Sequence, residues 1–188
     1  VFTCPAPNCL PGRALTNGKV VKCSVANPAS LFIFKLANEQ HLGEVSLIKV
    51  YGGEITEGQD LINPRSGNKE RISQLMIVNG KNREKIEKVV AGDIAVTIKL
   101  KDARANDSLM DPKAADAGFE PIAYPDPIFT TAVKAVSSTD DEKLGSILQD
   151  MHRVDPTFNA GLSRELRQLI IQCQGEYHLN TVKWYLDH

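Results

Sequence analysis

The feature that most constrains the fold is the run Gly43-Glu44-Val45-Ser46-Leu47-Ile48-Lys49-Val50-Tyr51-Gly52-Gly53-Glu54-Ile55-Thr56-Glu57-Gly58. Successive side chains of an extended strand point to opposite faces, so Val45 and Leu47 share one face while Ser46, Ile48 and Val50 share the other. Both faces are largely apolar, as in a barrel wall packed on each side. Gly52-Gly53 then permits positive φ and a chain reversal. A short arm, Glu54 to Thr56, leads to a second turn at Glu57-Gly58, and Asp60 to Asn63 resumes extended structure until Pro64 stops it. The unit predicted is a tight β-meander.

The same alternation surrounds it. Leu31, Ile33 and Lys35 alternate with Phe32, Phe34 and Leu36. Lys69 to Val78 reads as one further strand, and the polar Asn79 to Lys88 reads as a loop. Ala91-Gly92-Asp93-Ile94 opens the next strand, which runs to Leu100. There Gly92 allows a sharp entry and Asp93 can accept hydrogen bonds from nearby backbone donors. Asp107-Ser108-Leu109 reads as a short closing strand. No helical period interrupts these elements, so residues 30–111 are expected to form an antiparallel barrel of six or more strands. Residues 1–29, punctuated by Pro5, Pro7, Pro11 and Pro28, read as an extended arm with one edge strand within Lys19 to Val25. Residues 112–127, rich in proline and alanine, read as an interdomain linker.

From residue 128 the period changes. Ile128 to Val136 reads as a strand, and Thr139 with Glu142 forms a capping box at a helix start. Leu144, Ile147, Leu148, Met151 and Val154 follow at helical spacing, and Pro156 ends that helix by disfavouring helical geometry at Asp155. Strands at Thr157 to Leu162 and Gln168 to Gln174 precede a last helix, Glu176 to His188, with Leu179, Val182 and Leu186 inward. The order β, α, β, β, α lacks only a final strand to be a ferredoxin-like fold, so residues 128–188 are expected to form a truncated βαββα(β) domain. Val1 and the uncapped helical pattern at His188 both look like ends cut from something longer.

A chain of 188 residues with 42% hydrophobic content can bury one large or two small cores. The net charge is −1, but it is unevenly distributed. Residues 1–118 carry 16 Lys and Arg against 13 acids, and residues 119–188 carry 6 against 10, which suits two domains facing different partners. No run reaches the ~18 apolar residues that span a bilayer, and no signal peptide opens the chain. The reading is cytoplasmic, with no membrane and no DNA partner.

Little chemistry is encoded. Cys4 and Cys9, with four residues between them, and Cys23, fourteen further on, invite a zinc knuckle, but no fourth ligand stands nearby and ordinary thiols are the alternative reading. Gly12 to Lys19 has five residues between its glycines where a phosphate loop needs four, and Val20 follows the lysine. His178 beside Glu176 lacks a nucleophile and an orienting partner. Gly161-Leu162-Ser163-Arg164-Glu165 lacks the last glycine of a nucleophile elbow. No catalytic, cofactor or metal residue is therefore assigned. Lys69, Arg71, Lys81, Arg83 and Lys85, with Lys88, gather around one strand start and one loop and form a candidate RNA-contacting group. Glu70, Glu84 and Glu87 interleave with them, so a solvated loop is the alternative.

The ordered motifs resemble domains II and III of elongation factor G, the translocating GTPase of the ribosome. In domain II the resemblance rests on His41-Leu42-Gly43 through Lys49-Val50-Tyr51-Gly52-Gly53 to Gly58, Lys69-Glu70-Arg71-Ile72, Asn82-Arg83-Glu84-Lys85-Ile86, Ala91-Gly92-Asp93-Ile94 and Asn106-Asp107-Ser108-Leu109. Tyr124-Pro125-Asp126-Pro127 is similar to the interdomain joint. Asp140 to Gly145, Asp155-Pro156-Thr157-Phe158 and Gly175-Glu176-Tyr177-His178-Leu179 are similar to domain III. Cys173-Gln174, Tyr177 and Tyr185 depart from the family pattern, which suits a divergent paralogue.

The resemblance implies a translation-factor barrel followed by the ferredoxin-like domain, and a parent GTPase whose GTP and magnesium sit outside this chain. It implies contact with small-subunit ribosomal RNA and protein, and with the parent's own GTP-binding domain, in translocation or recycling. It also places His178 near where fusidane antibiotics lodge in the family. A tetracycline-type ribosomal protection factor and a stand-alone RNA-binding barrel are the alternatives. The fragment itself is expected to be inactive.

Overall fold

The computed structural model describes residues 11–39, 43–80, 82–134, 141–163, 165–166 and 168–187. The chain divides into two compact units, Val1–Ile122 and Ala123–His188. No helix among the described residues is long and apolar enough to cross a membrane.

The first unit is all β among its described residues. A small hairpin, β1 (Arg13–Ala14) and β2 (Val20–Val21), precedes the long strands β3 (Ser30–Glu39) and β4 (Gly43–Gly52). Then come β5 (Glu54–Thr56), β6 (Asp60–Ile62), β7 (Lys69–Arg71), β8 (Leu75–Asn79), β9 (Asn82–Ile86), β10 (Lys88–Val90), β11 (Ile94–Ile98) and β12 (Ser108–Met110). Eight of them form one antiparallel sheet in the order β7-β6-β12-β3-β4-β11-β8-β9, while β10 pairs with β5. Register slips in β3 between Ser30 and Leu31 and between Ile33 and Lys35. Such irregularities bend a strand and let a sheet curl.

The ends of the curled sheet meet at one turn. Gly58 N donates to Ile72 O at 2.6 Å, Ile72 N donates to Gln59 O at 2.9 Å, and Glu57 N donates to Glu87 O at 3.1 Å. Inside lie Leu31, Ile33, Leu36, Ile48, Val50, Ile55, Leu61, Ile72, Leu75 and Leu109, all without exposed surface. The opposite face of the long strands is covered too, as the two-sided apolar pattern of 43–50 requires. Val45 and Leu47 pack with Met76, Val96 and Ile98. Phe32 packs with Met110 and Phe119, joined by Leu15, Val21 and Tyr51. The Arg13 guanidinium lies 3.9 Å from the Phe32 ring centroid. Leu15 and Val21 of the expected arm and Ala115 and Phe119 of the expected linker thus supply cover for the barrel's outer apolar surface.

Two local expectations are corrected. Lys69 to Val78 is not one strand: the chain leaves the ladder after Arg71 because Ile72 turns inward and bonds the Gly58–Gln59 backbone, and pairing resumes at Leu75. Asn79 to Lys88 is not a loop. Its residues Asn82–Ile86 pair with β8 across a tight turn. Asn82 to Lys85 are all exposed, so neither face of the strand needed the apolar alternation by which strands are read.

Gly92 and Asp93 behave as their positions suggested. Gly92 has φ +104°, and Asp93 Oδ2 accepts from Val90 N at 3.0 Å. Gly92 O also accepts from Lys49 Nζ.

The second unit contains β13 (Phe129–Val133), α1 (Asp141–Val154), β14 (Asn159–Ser163), β15 (Gln168–Cys173) and α2 (Glu176–Asp187). Its antiparallel sheet has the order β13-β15-β14, the order in which a ferredoxin-like domain begins. Phe158, Ile171 and Cys173 pack against Leu148 of α1 and Leu179 and Val182 of α2. The first helix stops at Val154, two residues before Pro156, as steric exclusion before proline requires. Thr139 of the expected capping box lies outside the described residues.

Gly53 sits at the convergence of three segments: its N donates to Ser24 O, its O accepts from Ala91 N, and its φ is +64°. A Cβ there would lie 2.9 Å from Ala29 N and Asn27 O, whereas at Gly67, with φ +71°, a Cβ would meet nothing within 4 Å. Gly67→Ala is expected to cost only the left-handed backbone term, about 1–2 kcal/mol. Gly53→Ala is expected to cost more than that, read as a larger fall in the urea midpoint at unchanged m.

Candidate nucleic-acid interface

Strand period places the candidate cations. In β7, Lys69 and Arg71 point outward and Glu70 between them points in. Glu70 is 1% exposed and accepts from Lys101 N at 2.9 Å and Asp102 N at 2.7 Å. It therefore holds the 99–102 bend and does not offset its neighbours at the surface. β7 and β9 are the two edges of the eight-stranded sheet, yet barrel closure delivers both to the Glu57–Gly58 turn. Arg71 Nη2 lies 3.7 Å from where a Gly58 Cβ would stand, and Lys85 Nζ of β9 is 3.1 Å from Glu57 Oε1.

The structure brings Arg71 and Lys85 to this turn, while Lys69 lies further along β7, opposite Ile62. Arg83 instead pairs with Glu39 at the end of β3, and Lys81 lies outside the described residues. Sequence reasoning missed the acids facing them across the strands. Lys69 is 3.9 Å from Asp60, and Lys88 is 3.3 Å from Glu54. Only the strand register, set by the closing turn, could have exposed these pairings. Arg71 stands opposite Asp60 in the β6–β7 register, although among the described residues the salt bridge of that carboxylate is to Lys69. Exposed pairs of this kind contribute about 0–1 kcal/mol, so exchanging a carboxylate for a phosphate oxygen costs little.

A cleft of about 410 Å³ opens elsewhere on the barrel, lined among others by Asn63, Arg65, Asp107 and Phe119. Its polar walls are bonded to one another. Asp107, 5% exposed, accepts from Asn63 Nδ2 at 2.9 Å, Arg65 Nε at 2.7 Å, Arg65 Nη2 at 2.9 Å and Arg104 N at 2.9 Å. Asn106 clasps the Ile122 backbone through both ends of its amide. Phe119 N donates to Ser108 Oγ at 2.8 Å. Hydrogen bonding to Asp107 raises the Arg65 pKa above its ordinary value. The Asp102 carboxyl is lowered by hydrogen bonds from Ser66 and Asn68, then by the charges of Arg65 and Arg104. This arrangement is a structural seam.

His178 is occupied on both sides. Its Nδ1 accepts from Gln174 N at 3.2 Å, which leaves the proton on Nε2, 3.0 Å from Asp155 Oδ2. Asp155 Oδ1 in turn accepts from Thr157 N at 2.8 Å and Thr157 Oγ1 at 2.6 Å. The ring fastens the start of α2 to the α1–β14 loop. Cys4 and Cys9 lie outside the described residues. Cys23 is buried, with its thiol pKa pushed up by that burial, an environment that disfavours the thiolate a metal needs. Among the described residues no group of three or more His, Cys, Asp or Glu is placed to hold a metal.

Residues 28–112 match the family model described as elongation factor G domain 2, and residues 124–188 match elongation factor G, domain III. The chain belongs to the elongation factor G family. Its two units are domains II and III of that family, in order. The chain is also similar to a crystal structure from Thermus thermophilus, at 26% identity and a TM-score of 0.70, over 85% of this chain and 24% of that one. It therefore spans about a quarter of that protein's length. Domain II of this elongation factor G member is the barrel that carries Arg71 and Lys85, and domain III carries His178.

Two predictions concern the domain II seam. Asp107→Ala removes the acceptor of four hydrogen bonds and is expected to lower stability by about 2–4 kcal/mol, measured by chemical denaturation. Asp102 has a folded pKa below its unfolded value near 3.9, so its contribution is present above that value and is lost as pH falls through the lower, folded one. Asp102→Asn is expected to flatten that acid limb of a stability–pH profile and leave the neutral region nearly unchanged.

Proposed function

We propose that these domains are the non-catalytic, ribosome-contacting middle of an elongation factor G-like GTPase, acting in translocation or in ribosome recycling. GTP and magnesium are bound by a domain outside these 188 residues, and the protein works in the cytoplasm. The observation that carries this reading is the ordered pair of family matches, residues 28–112 followed by residues 124–188. The surface chemistry of domain II supports the small-subunit RNA as its partner.

Arg71 offers a planar fork that can take two phosphate oxygens, and Lys85 offers a point charge that can trade Glu57 for a phosphate. Lys69 and Arg83 are assigned to the periphery of the same contact, and Lys81 is a further candidate from the sequence. Because most of these cations already face acids, the surface has little net field. Its recognition rests on fit to a folded RNA backbone and not on bulk attraction. Domain III meets a small-subunit protein and the parent's GTP-binding domain. On this reading the modules relay ribosome contact to the nucleotide site of the absent domain.

Sedimentation with purified small ribosomal subunits tests this. The 188-residue chain is expected to bind them with a slope of log K against log salt near −2, about the release expected for two phosphate contacts. The double variant Arg71→Glu, Lys85→Glu is expected to weaken binding about tenfold or more, and calorimetry is expected to show no GTP binding. Unchanged binding by the double variant, or tight GTP binding by the chain, overturns the proposal. Tight, steeply salt-dependent binding to free RNA would instead favour a stand-alone adaptor.

A further inference from the structure

We propose that the outer face of α2 is a docking surface for an arginine-bearing segment of a basic partner protein. At 3.6 residues per turn, Tyr177, Thr181, Trp184 and Tyr185 fall within an arc of about 100°. Tyr177 is 92% exposed, Trp184 55% and Tyr185 58%. The Trp184 and Tyr185 rings meet edge to face, with centroids 5.2 Å apart and planes at 76°. The inward face of the helix fills the core through Leu179, Val182 and Leu186, and the three aromatics stand outside that core cluster with most of their surface exposed. Rigid aromatic side chains grouped on one exposed face are the material of interface hot spots.

Charge selects the occupant. Residues 123–188 carry six Lys and Arg against nine Asp and Glu, and Glu176 precedes Tyr177 at the start of the helix. A phosphate backbone or an anionic membrane surface is repelled by such a domain. A second copy would bring like charge to like charge. A cation is drawn both by the acidic domain and by the ring faces, and a guanidinium stacks on a ring better than an ammonium does. The helix is about 18 Å long at 1.5 Å per residue, which fits a short segment. The inference concerns only this helix and holds whether or not domain II contacts the ribosome.

Trp184 is the single tryptophan of the chain, so its fluorescence reads this face directly. The 188-residue protein is titrated with an oligo-arginine peptide, an oligo-lysine peptide of the same length and a single-stranded RNA. Oligo-arginine is expected to shift the emission saturably, with a Kd roughly two- to fivefold below that of oligo-lysine, matching an exposed cation–π contribution. Tyr177→Ala and Tyr185→Ala are each expected to erase most of that preference while the far-ultraviolet circular dichroism is unchanged, and Tyr177→Phe is expected to retain it. Equal affinity for the two peptides, insensitivity to the alanine variants, or a shift produced by RNA overturns the proposal. A shift produced by raising the protein's own concentration alone also overturns it.

Discussion

A curled sheet has two edges, and the first unit depends on how they are joined. The Thr56–Gln59 turn does this with backbone groups alone, bonding Ile72 just past one edge strand and Glu87 just past the other. An open edge would leave unpaired donors and acceptors that invite association with other chains. Joining the edges also makes a barrel interior that ten aliphatic side chains fill without exposed surface. The meander from Gly43 to Gly58 thus acts twice, as wall through β4 and as clasp through its second turn. The same turn decides the surface, because Arg71 and Lys85 come from opposite edges and would lie far apart on a flat sheet.

The second unit solves a different problem. Its sheet buries one face against both helices, with Phe158, Ile171 and Cys173 meeting Leu148, Leu179 and Val182. Its loops are held by polar bolts, of which His178 to Asp155 is the clearest. A histidine with both ring nitrogens so engaged fixes the helix start against the α1–β14 loop. The Gly-Glu-Tyr-His-Leu motif is therefore explained by packing: Gly175 O accepts from Leu179 N at 3.0 Å, His178 locks the loop, and Leu179 enters the core.

Much of this was legible because apolar alternation reports burial. β3, β4, β11 and both helices lie where period 2 or period 3.6 placed them, since each has a face that must leave water. The hairpin of β8 and β9 was illegible for the same reason. Asn82 to Lys85 bury nothing, so the pairing is carried by backbone bonds that leave no pattern in side chains. The split between β7 and β8 was hidden by an apolar residue, Ile72, which looks like continued alternation but serves the closing turn. The candidate cations were visible in sequence, while their acidic partners were not. Glu57 and Lys85, or Glu54 and Lys88, become neighbours only when the ends of the sheet meet.

That pairing bears on how the barrel can act. A surface of unopposed lysines binds any polyanion and releases it slowly at low salt. Here Asp60, Glu57, Glu54 and Glu39 each neutralise a cation at little energetic gain. The pairs raise the cost of loose, unspecific contact more than that of a fitted one, because a well-placed phosphate replaces a carboxylate one for one. If the barrel engages a large RNA assembly and then leaves it, as proposed, it is better served by such a near-neutral, shape-dependent face. On the proposed roles, the acidic second unit with its aromatic helix completes the division: one domain suited to anions in a defined geometry, the other to cations on a protein surface.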